Sequence, residues 1–126
     1  MDDKNDEMNE LIKLILKAIS DKWGHIEEFG LPERDDPGFD KLLDLHPELK
    51  MDENQEDVFY KDDFLGWINM DYHNDEWCIV KFEGEKGEKK TKLSDLLKLI
   101  IQDHLKNGKP FIEIKAMFEK VAFNLQ

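Results

Sequence analysis

Apolar residues at Met8, Leu11, Ile12, Ile15, Ile19 and Trp23 recur at the spacing of one helix face, which predicts an amphipathic helix from about Asn5 to Lys22. Leu14 and Leu16 widen the stripe, so this helix should meet apolar surface on more than one side, and Gly24 is its natural terminator. The acidic start of the chain suits the positive end of the helix dipole. The same period returns near the other end. Ser94 as cap, Asp95 in the first turn and Leu96, Leu97, Ile100, Ile101 and Leu105 before Gly108 predict a second helix. Lys109-Pro110 opens a third, with Phe111, Ile114, Met117, Phe118, Val121 and Leu125 on its apolar side.

Between Phe64 and Phe82 the period changes to two, and the stretch reads as an antiparallel hairpin turning within His73-Asn74-Asp75-Glu76. An odd-length loop puts Ile68 and Met70 beside Cys78, Val80 and Phe82 on the face that helices cover. Trp67, Trp77 and Ile79 then share the opposite face. The flanking segments carry weaker signals. His25 to Pro37 reads as a loop, with Asp36-Pro37 starting a short helix buried through Phe39, Leu42, Leu43 and Leu45. Pro47 ends that helix or opens another turn through Leu49 and Met51. Glu83 to Lys90, all charge and glycine, reads as an exposed loop. The whole predicts an α+β fold: an N-terminal helix, a central antiparallel hairpin or small sheet, and a C-terminal helical pair packed on the sheet.

At 126 residues the chain has the length of one domain and needs no disulfide or structural metal to build a core. Its lone cysteine, Cys78, cannot form an internal disulfide and is expected to be a buried thiol in a reducing, cytoplasmic setting. No apolar run is long enough for a membrane helix, and the first residues are acidic where a secretory signal would be basic.

The charge changes the picture most. The formal net charge is -12, and it is uneven: residues 1–83 hold 24 Asp and Glu against 9 Lys and Arg, while residues 84–126 hold 6 against 9. Such a surface repels phosphate backbones and favours a basic partner.

Candidate chemistry is sparse. His25, His46, His73 and His104 stand singly, without the close pairs of a zinc set. Asp52, Asn54, Glu56 and Asp63 imitate alternate positions of a calcium loop, but Asp57 stands where the turn needs glycine. Asp71, His73, Asp75 and Glu76 form a charged hairpin tip. Glu113 and Lys115 imitate the acidic-x-Lys pair of metal-dependent nucleases, yet helical periodicity runs through them. No cofactor or metal is therefore expected.

The expected function is that of a non-enzymatic protein of the immunity, anti-defence or nucleic-acid-mimic type. It would bind and inhibit or regulate a basic protein, such as a nuclease, without touching nucleic acid or membrane itself. The expected contact residues are Asp52, Glu53, Glu56, Asp57, Asp62, Asp63, Asp71, Asp75 and Glu76, with Tyr60, Trp67 and Trp77 as aromatic anchors. The alternatives are a DNA-associated regulator using the C-terminal helical pair and a small metal-dependent nuclease.

Overall fold

The N-terminal stripe becomes a 21-residue helix, α1 (Asp3–Trp23), whose Ile12, Ile15, Ala18 and Ile19 are buried. A computed structural model of the chain describes residues 3–23, 39–52, 57–71 and 76–125. The expected stop at Gly24, the loop through Pro37, the Asp36 cap and the 72–75 turn lie outside them. A 3₁₀ helix (Phe39–Leu45) follows, with Leu42 and Leu45 buried.

Five strands come next: β1 (Leu49–Met51), β2 (Asp57–Tyr60), β3 (Asp63–Asp71), β4 (Glu76–Phe82) and β5 (Glu88–Lys92). They form one antiparallel sheet in the order of the chain, β1-β2-β3-β4-β5. Two helices close the fold, α2 (Leu93–Lys106) and α3 (Phe111–Leu125). Gly108 sits at φ 90 beyond the last turn of α2, a left-handed conformation that costs glycine little. The α+β architecture expected from the periodicities is the one observed.

Several local expectations need correction. Leu49 and Met51 form an edge strand rather than a helical turn, and the polar stretch after Phe82 contains a single 3₁₀ turn (Gly84–Lys86) and then β5. Helix α2 starts at Leu93, and Lys92 at its cap position makes no side-chain capping bond. Strand β5 runs directly into it, so the chain leaves the extended conformation before Ser94 can serve as cap. Of the C-terminal pair, α2 packs on β4 and β5, whereas α3 packs chiefly on α1 and the 3₁₀ helix.

The hairpin register differs as well. Asp71 pairs with Glu76 and Ile68 with Ile79, so an even number of residues separates β3 from β4 and the face assignment reverses. Ile68, Trp77 and Ile79 belong to the helix-covered core, while Cys78, Val80 and Phe82 share the other face with Trp67 and Asn69. The parity of β4 could not decide this. Trp77, Cys78, Ile79 and Val80 are all buried, so both faces of the strand are apolar.

The core lies between one sheet face and the three helices. Phe118, Ile15, Ile19, Ile79, Ile100 and Ile114 are among its fully buried side chains. Each contributes about 1.5–3 kcal/mol by leaving water. Trp77 joins the two layers, its Nε1–H donating to Ser20 Oγ at 3.3 Å. A bulge between Val58 and Phe59 kinks β2 against β3, and beside it Gly66 takes φ 121. A Cβ there would stand 2.0 Å from the Val80 carbonyl oxygen, so only glycine lets the two strands approach.

Candidate functional site

The expected contact residues do not form one patch. Asp52 folds its carboxylate back onto the β1–β2 connection, where Oδ1 accepts from the Asp57 amide at 3.1 Å. Asp62 and Asp63 are exposed at the β2–β3 turn, and Glu76 lies 3.8 Å from Lys92. Trp77 is 6% exposed inside the core and cannot anchor a partner. Tyr60 points its hydroxyl into the protein. Trp67 alone of the three aromatics lies on the face opposite the helices. Glu53, Glu56 and Asp75 fall outside the described residues, as do Asn54, His73 and His25, and of Asp71 only the backbone is described.

The fold does assemble a polar cluster at a place that no motif marks. His46 follows the 3₁₀ helix, Lys61 sits in the β2–β3 turn, and Asp103 and His104 lie in the last turns of α2. The Glu48 amide can only donate, and at 3.0 Å it donates to His46 Nδ1. The ring proton of His46 therefore resides on Nε2, which donates to Asp103 Oδ2 at 2.7 Å. Lys61 Nζ donates to Asp103 Oδ1 at 2.6 Å, and Asn107 Nδ2 donates to Oδ2 at 3.3 Å. His104 donates from Nε2 to the Leu45 carbonyl at 2.7 Å. The two imidazoles stand 4.7 Å apart, with the Tyr60 ring edge-on to His46 at 5.2 Å.

Local backbone geometry delivers the lysine. Lys61 and Asp62 occupy a two-residue hairpin turn with φ 53 and 68, the left-handed conformation that such turns demand and that Asn-Gly supplies at less cost. The Lys61 amide is held by the Glu48 carbonyl at 3.1 Å. The turn, the loop after the 3₁₀ helix and the end of α2 are thereby fastened together. They border a cleft of about 520 Å³ that Lys106, Lys109 and Met117 also line.

Electrostatics fix the charge states in this cluster. Hydrogen bonds from Lys61 and His46 hold the Asp103 carboxyl down at about 2. The bond to Asp103 raises the Lys61 ammonium above its ordinary value. Burial, with repulsion from Asp103, raises the Tyr60 phenol, whose hydroxyl is buried without a hydrogen-bond partner among the described residues. Each of these three groups keeps its ordinary charge at neutral pH, and none is poised to exchange a proton there. Both nitrogens of His46 are occupied. What the arrangement does is orient and fasten: three donors converge on one carboxylate.

The sheet face turned away from the described helices is the other exceptional feature. Phe59 and Phe64 pack as tilted rings with centroids 5.4 Å apart, Trp67 and Phe82 likewise at 5.3 Å, and Phe64 and Phe82 are 36% and 62% exposed. Among the described residues the helices lie on the other side. Glu113 and Lys115 are exposed on α3, two residues apart on a helix and so pointing in different directions. No group of three or more His, Cys, Asp or Glu side chains among the described residues could hold a metal ion, and no helix among them is long and apolar enough to cross a membrane.

The bonds that join the end of α2 to the rest of the cluster span 42 to 59 positions, so spacing could not reveal it. One signal was available. His104 falls on the Leu97, Ile100, Ile101 stripe of α2, where a polar residue must find a buried partner. Comparison with protein-family models, curated proteins and solved structures finds no match to this chain.

Proposed function

We propose that this chain is a binding protein without catalytic activity of its own, whose acidic surface docks on a basic, nucleic-acid-handling protein and inhibits or regulates it. The observation that carries the reading is the charge: -12 over 126 residues, concentrated before residue 84. Asp62 and Asp63 project from the β2–β3 turn, and Asp57 and Glu76 are partly exposed on the same sheet. Charge of this kind steers a basic partner at long range and speeds its encounter. The state of the polar cleft supports the non-enzymatic half of the reading, since Asp103, Lys61 and His46 satisfy one another. A DNA-associated regulator acting through α2 and α3 is the rival, supported by the net positive charge of residues 84–126.

The test is affinity capture at low and high salt from extracts freed of nucleic acid, beside direct titration with duplex DNA. Retention of a basic protein, weakened by salt and by joint reversal of Asp52, Glu53, Glu56 and Asp57, is the expected result. Normal binding by that variant, with activity abolished by reversing Lys115 and Lys120, would move the function to the C-terminal helices. Duplex binding with a steep salt dependence would do the same.

A further inference from the structure

The rings on the sheet face turned away from the described helices sit on its three central strands: Phe59 on β2, Phe64 and Trp67 on β3, and Phe82 on β4, and of these Phe64 and Phe82 are exposed. The register sets a carboxylate beside two of them. Asp57 is the cross-strand partner of Trp67, and Glu88 is the partner of Phe82. A planar ring with a carboxylate one strand away, about 5 Å off, offers a guanidinium both a π face and a charge-assisted hydrogen bond. Lys50, Lys90 and Lys92 of this face occupy the edge strands β1 and β5, and Lys81 of β4 reaches over the Phe64 ring with its Nζ 6.0 Å from the centroid, so Trp67 and Phe82 are the rings that keep a carboxylate as cross-strand partner. Lys92 is moreover drawn toward Glu76.

Five strands some 4.8 Å apart give a face on the order of 400 Å², about half of what one side of a standard interface buries. That suits an extended segment or loop better than a second flat domain.

We propose that this face receives a basic, arginine-bearing segment of a protein partner, each guanidinium seated on Trp67 or Phe82 and paired with Asp57 or Glu88. The proposal rests on the reading of the chain as a binder of a basic protein, and it places the contact on the sheet instead of on the acidic β1–β2 connection and hairpin tip. Rings hold the segment and carboxylates select it.

The experiment titrates the full chain with labelled octa-arginine, octa-lysine and oligo-thymidine at low and high salt, following the Trp67 indole by NMR. Octa-arginine should shift that indole and bind at least about threefold tighter than octa-lysine, because only the guanidinium stacks. Phe82→Ala and Glu88→Gln should each weaken it by about fivefold or more, while Phe123→Ala, an exposed ring on α3, should leave it unchanged. Circular dichroism melts verify that each variant folds.

If octa-arginine binds but the Trp67 indole stays still and Phe82→Ala and Glu88→Gln bind normally, the sheet face is wrong and the acidic-binder reading stands. If neither peptide binds even at low salt, both fall. Oligo-thymidine shifting Trp67 in place of the peptides would make the face a nucleic-acid platform. A concentration-dependent dimer abolished by Phe82→Ala would make its occupant a second copy. Either result overturns the proposal.

Discussion

His46 and Asp103, 57 positions apart in the chain, meet at 2.7 Å, and the imidazole turns its other nitrogen to the Glu48 amide. One buried ring thus ties the segment entering the sheet to the last turns of α2. His46→Ala should destabilise the fold by about 2 kcal/mol, because two hydrogen bonds go and the Glu48 amide loses its acceptor. Urea titration measures it. An unchanged midpoint would mean that the tie contributes nothing.

Acid should undo the tie from the carboxylate side. The Asp103 carboxyl falls from its ordinary 3.8 to about 2 on folding, so its contribution is fully present above 3.8 and disappears as pH drops through about 2. Wild type and Asp103→Asn should therefore differ in stability at neutral pH and converge across that window. Denaturation midpoints over a pH series decide this, and a constant difference would contradict it.

Alkali acts through Tyr60 and Lys61. Both pKa values rise above their ordinary 10.0 and 10.5, so their contributions are complete below about 10 and are lost as pH climbs past the raised values. Tyr60→Phe should remove the tyrosine part of that alkaline loss. At neutral pH it should be neutral or stabilising by up to about 1 kcal/mol, because the hydroxyl it deletes is buried without a partner. A large destabilisation measured by urea titration would show that the hydroxyl makes a needed bond.

Gly66→Ala should cost at least about 3 kcal/mol, since neither a Cβ against the Val80 carbonyl nor φ 121 is tolerated by alanine. Loss of the cooperative thermal transition, or a Tm lowered by many degrees, is the expected readout. Gly84→Ala, where a Cβ would meet open space, is the control and carries only the strain of its positive φ.

Cys78 is 3% exposed and should resist thiol reagents in the native state. Labelling should occur only at the rate of opening, and Cys78→Ala should cost about 1 kcal/mol. Immediate stoichiometric labelling of folded protein would contradict its burial.

Much of the fold was legible, and its legibility tracks burial on one side. The α1, α2 and α3 stripes are each apolar on one face, so a 3.6-residue period stands out in Ile12, Ile15 and Ile19 as it does in Ile114, Phe118 and Val121. Strands β1 and β5 could not be read, because Leu49–Met51 is too short to show a period and Glu88–Lys92 is charged throughout except for Thr91. Such edge strands are placed by the neighbour they pair with and by no pattern of their own. The register of β3 on β4 failed for the opposite reason, with too many apolar positions in place of too few. The His46, Asp103 and Lys61 tie is set wholly by tertiary contact, and the polar intruder on the α2 stripe at His104 is its sole trace in the sequence.

Because the sheet order repeats the chain order, each strand pair closes through a connection of at most five residues, which is the cheapest kind of loop to close. The meander can therefore assemble from the inside out, hairpin by hairpin, before α1 arrives. The Ser20 to Trp77 bond and the packing of α1 on α3 join distant stretches of chain and are expected to form late in folding. Truncating Ile15 should then speed unfolding and leave the refolding rate nearly untouched, whereas truncating Ile68 or Ile79 should slow refolding itself.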